Sequence, residues 1–285
     1  MSTTASIDSL SSFPTRTDSA AEDSVPRTDS AAEDSVPRTD SAAEDSVPRT
    51  GVRKAYFVSD VHLGLDVADP ADREARFVRF LRSIASDADS LYMLGDIWDF
   101  WYEYKYVVPK GYVQVFAAIQ DLVAAGVKVY FFQGNHDVWT YSYFEEMGMT
   151  RLTQPALVRV GSMNLCLGHG DGLGPVPAGY RILRSIFHSR VLQALFSAIH
   201  PRIAFALGNS WSRHNRLARG EEYVFKGEDE PLYRFAVEYA RDHEVDGFVF
   251  GHYHCAVDSI LPGGQRFVIL KDWMDGSPFL SISLE

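Results

Sequence analysis

The sequence predicts an α/β fold, and three observations carry that expectation. Short apolar runs alternate with stretches of helical periodicity from about residue 54 onward. The runs end again and again in glycine followed by Asp, Asn or His. A composition of 46% hydrophobic and 13% aromatic residues over 285 positions supplies a sizeable core.

The elements follow in order. Lys54-Ala-Tyr-Phe-Val-Ser-Asp60 is an apolar run ending in polar residues, expected as a buried strand feeding a loop. Phe77, Phe80, Leu81 and Ile84 fall at helical spacing within residues 70–86. Leu91–Leu94 is expected as the next buried strand, residues 111–125 as a helix closed by Gly126, and Val127–Phe132 as a third strand. Later strands are expected at 156–160, 163–168, 247–250, 256–261, 266–270 and 279–284. Residues 178–219 read as helices outside the strand rhythm.

Ahead of this domain, residues 16–48 are three copies of Arg-Thr-Asp-Ser-Ala-Ala-Glu-Asp-Ser-Val-Pro. Val is the one large apolar residue in each unit, too little to offset the entropy of ordering. Residues 1–50, with 10 acids and 4 arginines, are expected to be a disordered acidic tail before a domain over 52–285. The net charge of -11 argues against a general nucleic-acid binder. Cys166 and Cys255 make no disulfide framework and suit reduced thiols in a cytoplasmic protein. The start lacks a basic segment and an apolar stretch, so no signal peptide is expected. No run of 18 apolar residues suggests a transmembrane helix.

The strand ends carry the chemistry. They read Asp60-Val-His62, Gly95-Asp96-Ile-Trp-Asp99, Gly134-Asn135-His136-Asp137, Gly168-His169-Gly170-Asp171 and Gly251-His252-Tyr253-His254. Ligands of α/β sheets bind at the carboxyl ends of strands, so these segments are expected to converge. Each alone could be ordinary loop or turn chemistry. Together they supply hard carboxylate oxygens, imidazoles and a neutral amide oxygen, a donor set for two divalent cations. Such a pair clamps an in-line displacement and activates water near neutral pH.

The ordered series Asp-x-His, Gly-Asp-x-x-Asp, Gly-Asn-His-Asp, His-Gly-Asp and Gly-His-x-His resembles the calcineurin-like metallophosphoesterase superfamily across residues 54–285. The resemblance implies a four-layer α-β-β-α sandwich. It implies Asp60, His62 and His254 as ligands of one metal, Asn135, His169 and His252 as ligands of the second, and Asp96 as the bridge. His136 is implied at the scissile phosphate, with Asp137 supporting it. Mn2+ is the implied metal, although the donor set does not choose among Mn2+, Fe and Zn2+.

Between Gly172 and Gly220 there is no Asp or Glu, but there are seven arginines: Arg181, Arg184, Arg190, Arg202, Arg213, Arg216 and Arg219. Ile182, Leu183, Ile186, Phe187, Leu192, Leu195 and Phe196 lie among them. A basic amphipathic helical insert, about residues 176–220, suits an anionic substrate with an apolar part or an anionic membrane surface. An ordinary helical cap packed on the core gives the same pattern.

Phe100–Gly111, His169–Pro175, Leu207-Gly-Asn-Ser-Trp-Ser-Arg213 and Lys271-Asp-Trp273 resemble the UDP-2,3-diacylglucosamine diphosphatase family. That implies cleavage of a doubly acylated UDP-sugar to UMP and a lipid monosaccharide phosphate for lipid A synthesis. It also implies a cap that holds acyl chains and a cytoplasmic enzyme in peripheral contact with the inner membrane. One position departs: the best-known enzymes of that family carry Arg where His136 stands. Asn209, Ser210 and Arg213 are candidate substrate contacts. Two other readings stand beside this one: a generic phosphodiesterase or phosphomonoesterase for soluble esters, and a non-catalytic adaptor of the same fold.

Overall fold

The computed structural model describes residues 51–208, 210 and 223–284. The acidic repeats, Asn209 and Arg213 lie outside the described residues.

Two five-stranded sheets form the centre. The first runs in the order β10 (Leu280–Leu284), β1 (Arg53–Val58), β2 (Ala88–Met93), β3 (Lys128–Phe132), β4 (Thr150–Leu152). Strands β1 to β4 are parallel, and β10 runs antiparallel to β1. The second runs β5 (Ala156–Val160), β6 (Met163–Leu167), β7 (Gly247–Phe250), β9 (Arg266–Ile269), β8 (Val257–Ile260). Its β6, β7 and β9 are parallel. Parallel strands need crossovers, so helices cover the outer faces. α1 (Pro70–Ser83) and α2 (Val113–Ala124) cover the first sheet, and α7 (Pro231–Asp242) covers the second. The sequence periodicity does not single out α7, nor the short α3 (Tyr143–Glu146) and β4.

Three apolar layers hold this sandwich. Phe77, Leu81, Ile119 and Trp98 pack beneath α1 and α2. Phe57, Tyr92, Phe132, Leu167 and Val249 fill the space between the sheets, with Phe57 stacked on Tyr92 at 5.0 Å. Leu232 and Ala236 of α7 meet Phe248, Phe250 and Phe267. Local chemistry sets the helix starts. The Asp69 carboxylate accepts from the Asp72 N–H at 3.1 Å and Pro70 opens α1, while Pro231 opens α7.

Three further helices stand apart from the sandwich: α4 (Ala178–His188), α5 (Arg190–Ser197) and α6, helical over residues 201–208. They dock through a separate aromatic cluster. Trp139 meets Phe100, Phe187 and Phe196, and its indole N–H donates to the Phe187 carbonyl at 2.8 Å. The Tyr102 hydroxyl donates to the Gln193 carbonyl at 2.6 Å. α4 has no fully buried residue, and Ile182 and Leu195 are each 64% exposed. Among the described residues, no helix is long and apolar enough to cross a membrane.

Trp139→Ala deletes the cap's main anchor, and burying a residue of this size is worth about 3–5 kcal/mol. Hydrogen exchange should then rise across α4 and α5 while β1, β2 and β3 stay protected. Equal deprotection of sheets and cap would show that the cap is not a separately docked layer.

Candidate metal centre

Five loops bring the site together, each leaving the carboxyl end of a parallel strand. Asp60 and His62 follow β1, Asp96 follows β2, and Asn135 and His136 follow β3. His169 follows β6, and His252 and His254 follow β7. The strands end there because the backbone turns sharply. Asp60, His62, Asp96, His252 and His254 all have φ between 50° and 73°. Non-glycine residues rarely occupy that region, and each costs about 1–3 kcal/mol. A cluster of such residues marks geometry imposed by the surrounding fold.

The loops are tied through the carboxylates themselves. Asp60 Oδ2 accepts the His252 N–H at 2.9 Å, linking the first sheet to the second. Asp96 Oδ1 accepts the His136 N–H at 2.8 Å. The other oxygens, Asp60 Oδ1 and Asp96 Oδ2, are buried and receive no hydrogen bond among the described residues. Imidazole nitrogens surround them instead. Asp60 Oδ1 lies 3.7 Å from His62 Nε2 and 3.5 Å from His254 Nε2. Asp96 Oδ2 lies 4.0 Å from His62 Nε2 and 3.3 Å from His169 Nε2. Asn135 Oδ1 is 3.3 Å from His169 Nε2. His252 faces His169 with ring centroids 5.1 Å apart.

Electrostatics call for positive charge at this point. Burial opposes ionisation of Asp60 and Asp96, yet neighbouring histidines hold both carboxyls below the usual carboxylate range. His254 and His62 act on Asp60, and His169 and His136 act on Asp96. Burial would also lower the His169 pKa, but Asp96, Asp60 and Asp171 outweigh it and raise that pKa well above the usual value. His252 goes the other way, to about 4, through burial and the nearby His169. It therefore stays neutral, the form that offers a lone pair to a metal. Buried oxygens without donors, converging imidazoles and carboxylates demanding counter-charge fit divalent cations. Asp60, His62 and His254 form one grouping able to hold an ion. Asp60, Asp96 and His169 form another, as do His62, Asp96 and His136.

An outer ring of acceptors fixes the histidines. The Asp99 carboxylate lies 3.2 Å from His62 Nδ1, and Asp272 lies 2.8 Å from His254 Nδ1. The Leu94 carbonyl lies 2.9 Å from His169 Nδ1. With Nδ1 engaged, each ring keeps Nε2 for the centre. Asp99 stands on the loop of Asp96 and Asp272 on the segment after β9; the sequence marks both as motif members, but not as partners of His62 and His254.

His136 sits at the edge of the centre with its Nδ1–H donating to the Asp99 carbonyl at 2.9 Å. Asp137, which the family resemblance implies as support for that ring, makes its hydrogen bonds to backbone instead, among the described residues. Its carboxylate accepts the backbone N–H groups of Gly134, Asp96, Ile97 and Trp98, bracing two loops. Burial and the Asp96 charge raise its pKa to about 6. Ser210 lies on an exposed helical position.

Glycines permit this close approach. A Cβ on Gly251 would overlap Ser59 Oγ and Asp60 Oδ2, and one on Gly134 would overlap Asp96 Oδ1. Next to the centre a cavity of about 740 Å³ opens beneath the cap. Asn135, His136 and His252 of the centre line it together with Leu183, Phe187, Phe196 and Leu207 of the cap.

Known proteins place this geometry. The calcineurin-like phosphoesterase profile matches residues 53–256. A protein of Porphyromonas gingivalis named UDP-2,3-diacylglucosamine hydrolase is 35% identical over 238 residues, covering 78% of this chain and 90% of the relative. Relatives of the same name from Hamiltonella defensa and Aeromonas salmonicida are 32% and 30% identical. They cover 70% and 80% of this chain, and 76% and 89% of their own. A dimetal phosphatase from Danio rerio aligns with 82% of this chain and 93% of its own at 14% identity and a TM-score of 0.42, a likeness that adds no weight. Matched over most of its folded length, the chain belongs to the calcineurin-like phosphoesterase family and is a metal-dependent phosphoester hydrolase.

Proposed function

We propose that the chain cleaves the pyrophosphate of UDP-2,3-diacylglucosamine, releasing UMP and 2,3-diacylglucosamine 1-phosphate. One observation carries the reading: a single cavity is lined both by residues of the metal centre and by the apolar residues Leu183, Phe187, Phe196 and Leu207 of the cap. A soluble ester needs no such apolar lining, whereas a diacylated sugar has apolar chains to bury there. The names of the relatives agree with it.

In this reading Asp60, His62 and His254 would hold one divalent cation and Asn135, His169 and His252 the other, with Asp96 a ligand available to both. Mn2+ is the proposed metal by resemblance to the family; the mixed carboxylate, amide and imidazole set by itself does not choose among Mn2+, Fe and Zn2+. Bound cations supply Lewis acidity at the phosphoryl oxygens and an activated water. The protein's own groups orient and shield. The Asp99 carbonyl holds His136 Nδ1, which leaves Nε2 for the scissile phosphate. The wall of Phe187, Phe196 and Leu207 excludes water and fixes the lipid end. Outside, Ile182, Val191 and Leu195 are exposed beside Arg181 and Arg190. That face suits the surface of an anionic membrane, from which the lipid would enter.

Assay of purified protein with Mn2+ on UDP-2,3-diacylglucosamine and on bis(4-nitrophenyl) phosphate tests the substrate. Turnover of the lipid with UMP release is expected, and the diester should be the poorer substrate. Robust diester hydrolysis with an inert lipid would replace this reading with a soluble phosphodiesterase. Asp272→Asn tests the outer ring. It should weaken Mn2+ binding or activity about 10–100-fold with little change in Tm. Unaltered Mn2+ affinity and activity would remove His254 from the metal set.

A further inference from the structure

The cap carries several arginines, and among the described residues one of them lines the cavity. Arg181 instead lies in an outer notch with Ile182, Ser185, Ile186 and Leu192. Arg190 and Arg202 are exposed. Arg184 lies in the cavity wall, as do Asn135, His136 and His252 of the metal centre and Asp171, to which Arg184 is hydrogen-bonded.

Its position is built rather than incidental. The Nε–H donates to Asp171 Oδ2 at 2.9 Å. Asp171 is 3% exposed and is itself pinned, because Gln154 Nε2 donates to Asp171 Oδ1 at 2.6 Å and to the Asp171 carbonyl at 2.9 Å. Gln154 Oε1 in turn accepts the Gly170 N–H at 2.7 Å. The floor beneath Arg184 is Gly172, with φ of 71°. A Cβ there would stand 2.8 Å from Arg184 Cδ and 2.9 Å from Nε. The glycine therefore both makes the turn and leaves room for the arginine to lie against the loop. Among the described residues, no hydrogen bond occupies the two Nη groups of Arg184. A guanidinium anchored at Nε in the wall of a cavity, with its Nη donors not spent on such a bond, is arranged to take phosphate oxygens.

We propose that Arg184 binds the diphosphate of the substrate, aimed by Asp171 and seated on Gly172, so that the cap supplies a fixed cation to the cavity that the metal centre lines. Arg184 is then a binding residue, and Asp171 and Gly172 are positioning residues. This rests on the reading that a nucleoside-diphosphate ester enters the cavity. It goes beyond that reading by assigning the diphosphate contact to one arginine of an acid-free, arginine-rich insert.

The test is UDP binding to the full chain with Mn2+ in excess, followed by isothermal titration calorimetry, with metal content measured for each variant. Arg184→Gln should raise the UDP Kd about tenfold or more while two metals per chain are retained. Arg184→Lys should recover part of the loss, since the charge returns without the planar fork. Gly172→Ala should weaken UDP binding in the parent chain and add nothing in the Arg184→Gln background, because both changes break one interaction. An unchanged Kd in Arg184→Gln overturns the proposal. So does loss of metal in that variant, which would make Arg184 a prop of the metal loop. A Gly172→Ala penalty of equal size in both backgrounds overturns the seating. A parent chain that binds UDP through Arg184 but leaves UDP-2,3-diacylglucosamine intact would remove the lipid substrate and keep this contact.

Discussion

The structure depends on how two buried carboxylates divide their oxygens. Asp60 and Asp96 each give one oxygen to a backbone N–H of a different loop and turn the other into a ring of imidazoles. The first oxygen assembles the site, and the second creates its chemistry. Buried anions with an unsatisfied oxygen are costly in a low-dielectric interior unless positive charge arrives. Divalent cations would satisfy that demand, and they are what a metal-dependent phosphoester hydrolase uses. Assembly and function are therefore the same electrostatic requirement seen twice.

Everything else positions those oxygens. Parallel strands of both sheets deliver five loops to one edge, and apolar layers between and outside the sheets keep the strands in register. Left-handed backbone at Asp60, His62, Asp96, His252 and His254 is tolerated because Gly134 and Gly251 let neighbouring loops come close. Asp137 shows how far the support extends. It accepts four backbone N–H groups and sustains the loops without facing the reaction.

Much of this was legible in the sequence, for physical reasons. Apolar runs such as Tyr56–Val58 and Leu91–Leu94 are buried on both sides and announce themselves by composition. Metal-type residues stand out because Asp and His are rare just beyond such runs. α7 was less visible, since no catalytic motif flanks it to draw the eye. The short β4 and α3 are held by packing against β3 and by Phe144 rather than by local pattern. Asp99 and Asp272 could be read as motif members but not as histidine partners, because hydrogen bonds across loops depend on tertiary geometry. The same holds for Asp137, whose neighbour in sequence is His136 but whose bonds go to backbone. The arginine excess of the insert was plain, yet only the cap geometry separates the inward Arg184 from the outward Arg181.

Anomalous diffraction from crystals grown with Mn2+ tests the central claim most directly. Two peaks about 3.5–4 Å apart are predicted. Both should contact Asp96 Oδ2, with Asp60, His62 and His254 around one and Asn135, His169 and His252 around the other. A single peak, or density placed away from Asp96, would contradict the account.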